Sequence, residues 1–204
     1  MIDVDAGGPI HTITLNRPDK ANALTEAMLR DLLHAVGAAR DAAAVVLTGV
    51  GRVFSAGADL DAAKAGLATS PLWEDVSGAI AALPGLTIAA LNGTVAGGAN
   101  GMVLACDLRV AAPGARFFYP VMKLGYLPQP SDPVRMAALI GPARTKLIML
   151  AGQKIDAGTA LSFGLVDEVV EDGDVVARAV ALCADTVAAR PETARAIKAM
   201  CDDR

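Results

Sequence analysis

Aromatic side chains are scarce in this 204-residue chain: they make up 3% of it, with one tryptophan, two tyrosines and four phenylalanines. A core with so few rings must be filled by Ala, Val, Leu and Ile, which suits closely packed helices and buried strands. Histidine is rarer still, His11 and His34 being the two present. The three cysteines, Cys106, Cys183 and Cys201, are scattered without ligand spacing. No metal centre can be composed from so dispersed a set, and the cysteines read as reduced thiols, not as a disulfide framework. Positive charge is not in excess. The net charge of −4 leaves no basic footprint for nucleic acid, although a local patch for a phosphate-bearing ligand remains open. Long hydrophobic runs are missing as well: residues 87–106 are broken by Asn92, Gly93, Gly97, Gly98, Asn100 and Gly101, which excludes a bilayer-spanning helix. The opening MIDVDAGGP has neither a basic n-region nor an apolar h-region, so the expectation is a cytoplasmic chain without a signal peptide and without membrane contact.

What is present is a 53% hydrophobic composition dominated by alanine, at a length that fits one compact domain spanning residues 1–204. Alternation in His11 to Leu15 predicts a strand closed by the Arg17-Pro18-Asp19 turn. Thr25 predicts an N-cap for a helix running to about Val36, with Leu29, Leu32, Leu33 and Val36 as its apolar stripe. The continuous apolar runs Ala44 to Thr48, Thr87 to Leu91 and Leu108 to Ala111 read as strands buried on both faces. A helix is expected from about Gly98 to Cys106. Further helices are expected to start near Ser131, Pro142, Asp156 and Gly173, and another after Pro191. Strands alternating with helices indicate an α/β domain.

Several familiar motifs fail on single residues. AVVLTGVG (44–51) lacks a dinucleotide fingerprint because Phe54 stands where the third glycine belongs. Gly93 to Gly98 is followed by Ala99 and not by a phosphate-loop lysine. Ser55 has Val53 where a nucleophile elbow needs glycine, and the two histidines lie on a strand and a helix face, where structural roles are commoner. What survives is a pair of glycine-rich strand ends, FSAGADL (54–60) and NGTVAGGANG (92–101). Small residues let main-chain N–H groups approach a ligand, and two amides converging on one carbonyl oxygen stabilise negative charge developing there. Either segment alone also fits a tight turn with close helix packing.

With these segments in this order, the chain resembles the crotonase superfamily, the enoyl-CoA hydratase/isomerase family. LNRPDKANAL (15–24) resembles the family's early CoA-binding segment, and the two glycine-rich strand ends resemble its two oxyanion segments. IGPARTKLIMLAGQKIDAGTALSFGLVDEVV (140–170) resembles its later helices. The resemblance implies a crotonase-like spiral of ββα units with a helical C-terminal part. It also implies an acyl-CoA substrate with coenzyme A as part of that substrate, no other bound cofactor and no metal, and a homo-oligomeric trimer or hexamer. Carried over by position, the amides of Ala58 and Gly98 would hold the thioester oxygen, and Lys20, Ala21 and Ala23 would line the CoA side. Ala56, Asp59, Leu60, Gly97, Gly101, Pro120 and Val121 would border the substrate passage, with Asp59 alternatively an N-cap. Ala99, Gly101, Val121, Met122 and Leu124 suggest an apolar pocket or ordinary core.

The chain departs from the family pattern in three places. The resemblance puts the two glutamates of a hydratase at Gly101 and Val121, neither of which can transfer a proton. The isomerase members depend on the second of them. In residues 125–133 a commonly glycine-rich run is replaced by bulky and polar groups. Asp132 is there the one carboxylate near the expected cleft, with Tyr119, Lys123 and Tyr126 as ionisable neighbours. It is read either as a relocated base or nucleophile or as a cap on the following helix. Finally, the C-terminal helices are expected to be shortened relative to the family. Two functions stand as alternatives: an enzyme that stabilises a thioester enolate with non-standard proton-transfer groups, or a non-catalytic acyl-CoA-binding or regulatory protein.

Overall fold

The computed structural model describes residues 1–171 and 174–202. Its organisation follows from two kinds of strand. The longer ones form a six-stranded sheet in the order β1-β2-β3-β5-β7-β10: β1 (Ile2–Asp5), β2 (Ile10–Leu15), β3 (Ala44–Gly49), β5 (Leu86–Leu91), β7 (Leu108–Ala111) and β10 (Glu168–Val169). The shorter ones form a second sheet in the order β4-β6-β8-β9: β4 (Val53–Ser55), β6 (Thr94–Ala96), β8 (Arg116–Phe118) and β9 (Ile155–Asp156). Successive pairs β3–β4, β5–β6 and β7–β8 each place one strand in each sheet before the chain returns through helix. The result is the expected spiral of ββα turns.

The apolar runs of β3 and β5 are continuous because both faces are covered. Alternate residues serve different clusters: Val45, Leu47, Ala89 and Leu91 join the main core. Ala44, Val46, Ile88 and Ala90 instead pack with Val110 against Val175, Ala179 and Cys183. The second layer is supplied by helix α8 (Val175–Leu182). Gly93, between β5 and β6, has no room for a side chain, because a Cβ would land on the carbonyl of Arg52.

The expected helix after Thr25 is α1 (Glu26–Ala38), with the Thr25 hydroxyl accepting from the Met28 N–H at 3.3 Å. It is followed by α2 (Leu60–Lys64), α3 (Leu72–Ala81), α4 (Ala99–Leu104) and α5 (Val121–Leu124). Beyond these lie α6 (Ser131–Met149), α7 (Ala157–Phe163), α9 (Ala184–Ala188) and α10 (Pro191–Asp202). The two helices expected from Ser131 and Pro142 are both present, as the two segments of α6 that meet at the non-helical Gly141 (φ 78°, ψ 159°) just before the proline. Asp156 caps α7 through the Thr159 N–H. The start expected at Gly173 lies outside the described residues, and α8 is capped by Asp174, which accepts from the Ala177 N–H. Among the described residues no helix is long and apolar enough to cross a membrane, and no group of three potential metal ligands comes together.

Candidate active site

Strands β4 and β6 pair in parallel, Val53 with Thr94 and Ser55 with Val95, so the turns that leave them emerge side by side. Their backbones approach closely. Gly57 (φ 87°) faces the Ala96 carbonyl, which a Cβ would meet at 2.8 Å, and Gly97 (φ 55°) lies over the Gly57 Cα. On its other side this turn bridges Leu24 in parallel. The Leu24 N–H donates to the Gly57 carbonyl at 2.7 Å and the Asp59 N–H to the Leu24 carbonyl at 2.8 Å. In a parallel bridge the flanking residues make these bonds, so the N–H of Ala58 between them points the other way. Among the described residues neither the Ala58 N–H nor the Gly98 N–H has an acceptor. Gly98 stands just before α4, where amides have no intrahelical partner. The indole of Trp73 covers Gly98, only 3.0 Å from where a Cβ would be, and is itself fixed by Nε1 donating to the Leu67 carbonyl at 2.8 Å.

One turn into α4, a Cβ on Gly101 would stand 2.8 Å from Oδ1 and 3.2 Å from Oδ2 of Asp132. The carboxylate of Asp132 therefore fills the space that a side chain at position 101 would enter. Asp132 is completely buried. Its Oδ2 accepts from the Tyr119 hydroxyl at 2.8 Å, while Oδ1 has no partner among the described residues. Burial is the largest influence and pushes its pKa up from 3.8 to about 6; the Tyr119 bond opposes this, the charge of Glu74 adds to it and Arg135 offsets it. Tyr119, also buried and beside that carboxylate, is held far above the ordinary phenol range. Glu74 of α3 accepts from the Ser131 N–H at 3.3 Å and the Ser131 hydroxyl at 3.0 Å. Arg135 donates to the same hydroxyl at 2.8 Å.

This arrangement corrects the capping alternative for Asp132. Pro130 is the residue at the helix boundary and Asp132 is the second residue within α6. From inside the first turn its carboxylate reaches Tyr119 and not the helix amides. For Asp59 the capping alternative matches the structure: its Oδ1 accepts from the Asp61 and Ala62 N–H groups. Its Oδ2 pairs with Arg17 at 2.8 Å, and that bond, chiefly, lowers its pKa. The same Arg17 nitrogen donates to the Ala23 carbonyl, and the Ala21 carbonyl accepts from the Ala56 N–H at 3.0 Å. Residues Ala21, Ala23, Ala56 and Asp59 are thus brought together beside the first turn. Lys20 ends a short 3-10 turn and is exposed, as is Leu60. Pro120 precedes α5 and Val121 begins it. Of the suggested apolar pocket, Ala99, Gly101 and Val121 are buried, whereas Met122 and Leu124 are exposed.

The remaining motif candidates are structural. Ser55 donates to the Asn22 carbonyl at 2.8 Å and accepts from the Gly57 N–H, so its hydroxyl braces the turn. His11 sits in the β2–β3 ladder opposite Val45, and His34 is exposed on α1. Two residues that adjoin the site, Trp73 and Glu74, lie on α3, a helix the sequence reading does not anticipate. Its signal was the spacing of Leu72, Trp73, Val76 and Ile80, all buried. A separate groove of about 930 Å³ lies under α10, between Leu104, Ala105, Leu139 and Ile197; none of Ala58, Gly98 and Asp132 lines it.

Residues 5–204 match the family model described as enoyl-CoA hydratase/isomerase. The short-chain-enoyl-CoA hydratase of Clostridium acetobutylicum is 33% identical over 178 residues, 83% of this chain and 68% of the relative. The crystal structure of an enoyl-CoA hydratase from Bacillus anthracis superposes with a TM-score of 0.92 at 30% identity, covering 99% of this chain and 82% of the other. The structure of Pseudomonas aeruginosa DspI gives 0.89 at 32% identity, covering 97% of this chain and 84% of the other.

Proposed function

Because the chain belongs to the enoyl-CoA hydratase/isomerase family, we propose that it is an acyl-CoA-processing enzyme whose proton-transfer group is Asp132. In this reading the amides of Ala58 and Gly98 hold the thioester oxygen. Their value lies in the transition state: as the α-proton leaves, charge develops on that oxygen, and donors already oriented towards it need no reorganisation. Coenzyme A enters as part of the substrate, along the exposed Lys20 and the clustered backbone of Ala21, Ala23 and Ala56. Leu60, Gly97, Pro120 and Val121 border the passage.

The observation that carries this reading is the unpartnered Oδ1 of a fully buried carboxylate, lying where a side chain on Gly101 would project. A buried polar atom without a protein partner is costly, and the lone pair it leaves open beside Gly101 is free to take a substrate proton. A carboxyl whose pKa stands near 6 is also a stronger base than an exposed aspartate while still ionised at neutral pH. For isomerase and lyase outcomes the shared step is α-proton transfer: the Oδ1 lone pair takes the proton, and the C–H pair becomes the enolate whose charge rests on the thioester oxygen. A hydrolase outcome uses the same groups differently: Oδ1 takes a proton from a water that adds to the thioester carbon, the two amides hold the tetrahedral oxyanion, and the coenzyme A thiol leaves as the C–S bond breaks.

Incubating acetyl-, butyryl- and crotonyl-CoA with the protein in D₂O, followed by mass spectrometry, tests the reading. Protein-dependent deuterium uptake or a changed mass is expected, and Asp132→Asn is expected to slow it by about 10²–10⁴-fold. Uptake undiminished in that variant removes Asp132 from the mechanism. Gly101 and Val121, which carry no titratable group, favour a second reading as a non-catalytic acyl-CoA binder. Recovery of every thioester unlabelled, with measurable affinity, selects it.

A further inference from the structure

We infer that Tyr119 is a positioning residue that dedicates the two oxygens of Asp132 to different tasks, Oδ2 to anchoring and Oδ1 to the substrate proton. This rests on the reading of Asp132 as the base. The hydroxyl of Tyr119 donates to Oδ2 at 2.8 Å. No other hydrogen-bond donor among the described residues reaches the carboxylate, and Oδ1 is left unpartnered beside Gly101. A carboxylate on a short side chain can rotate about its Cβ–Cγ bond, and an unanchored one would offer either oxygen in a spread of directions. One strong bond to a buried neighbour removes that freedom, since a base contributes most when its lone pair already faces the proton it will take.

Tyr119 is itself well held for this task. Its ring is buried in the main core, and it precedes Pro120 and the α5 turn, whose Val121 N–H bonds back to the Tyr119 carbonyl at 2.9 Å. Its phenol is driven far above the ordinary range by burial and by the adjacent charge, so it stays protonated and serves as a donor, not as a second proton-transfer group. The other charged groups around Asp132 are Glu74 on α3, which disfavours its ionisation, and Arg135 one turn along α6, which favours it. Neither bonds to the carboxylate. Ser131 stands between them, accepting from Arg135 and donating to Glu74. Tyr119 is therefore the contact that both orients the base and steadies its ionised form.

The titration of Asp132, followed by the ¹³C shift of its carboxyl in aspartate-labelled protein, tests this without reference to turnover. In Tyr119→Phe the midpoint is expected to rise by about one pH unit, because a bond to the charged form is lost. A second perturbation at the same atom acts in the opposite direction and keeps the ring. The chain has two tyrosines, Tyr119 and Tyr126, so uniform 3-fluorotyrosine labelling in a Tyr126→Phe background converts Tyr119 alone into a stronger donor, and the midpoint is expected to fall. For deuterium exchange on butyryl-CoA, Tyr119→Phe is expected to lower kcat at least about tenfold with little change in KM, and to move the acidic limb of the pH profile upwards. A midpoint that stays in place, or moves the same way in both proteins, overturns the inference. Exchange that is lost in Asp132→Asn but unchanged in Tyr119→Phe also overturns it while leaving Asp132 as the base. Undiminished exchange in Asp132→Asn instead overturns the reading on which it rests.

Discussion

At the scale of single residues, a buried carboxylate that is kept for chemistry should weaken the fold at the pH where it works. The folded-state pKa of Asp132 lies above its ordinary 3.8, at about 6. Well below pH 3.8 the carboxyl is protonated in both folded and unfolded chains and costs nothing. Between about pH 4 and 6 the unfolded chain ionises it in water while burial resists this in the folded chain, so the cost builds across that window and is constant above it. A difference of about two pH units corresponds to roughly 3 kcal/mol of stability lost by pH 8. Asp132→Asn, whose amide oxygen can still accept from Tyr119, is therefore expected to melt above the wild type at pH 8 and together with it well below pH 3.8. A melting-temperature gap that does not depend on pH contradicts this. The sequence alone could not rank the two roles of Asp132, because Ser131-Asp132 before an apolar helix carries the pattern of a cap. The deciding contact is made by Tyr119, thirteen residues away, and no local pattern encodes it. Asp59 was legible as a cap for the converse reason: its capping partners, the amides of Asp61 and Ala62, stand two and three residues further on.

Among the elements, length governed what could be read. Strands β3 and β5, six residues each and continuously apolar, announce themselves. The strands that set the site, β4 and β6, have three residues each, too few to show a period, and were visible only through the glycine-rich turns that come after them. Helix α3, which packs Trp73 on Gly98, was missed although its apolar spacing stands beside start signals, Ser70 before Pro71 and the acidic Glu74 and Asp75 in its first turn, that together read as a helix. The link from the first sheet to the second depends on Gly93 more than on either strand. A side chain there must displace the Arg52 carbonyl, which is main chain and has nowhere cheap to go. Gly93→Ala is expected to destabilise the protein by about 3 kcal/mol or more, at the top of the range for overpacked sites, as a lower midpoint in urea.

For the whole molecule, stability is expected to be uneven. The spiral core is closed by long-range pairing in two sheets, whereas α10 is tied to it chiefly through Lys198, whose ammonium reaches the Gly85 carbonyl at 2.9 Å and Asp107 at 2.7 Å. Lys198→Ala is expected to speed amide hydrogen exchange across α10 while shifting global unfolding by less than about 1 kcal/mol. Equal acceleration in β3 and β5 would show that α10 is part of the cooperative core. The close stacking of the turns at Gly57 and Ala96 also has a bearing on how such a protein changes over time. In the proposed reading its grip on an oxygen would be written in main chain, which most side-chain changes leave alone. Its proton carrier would be a side chain, Asp132 on α6, lying where a side chain at Gly101 on α4 would project. A scaffold with those two inheritances kept apart is free to trade one reaction for another and still recognise the same class of molecule.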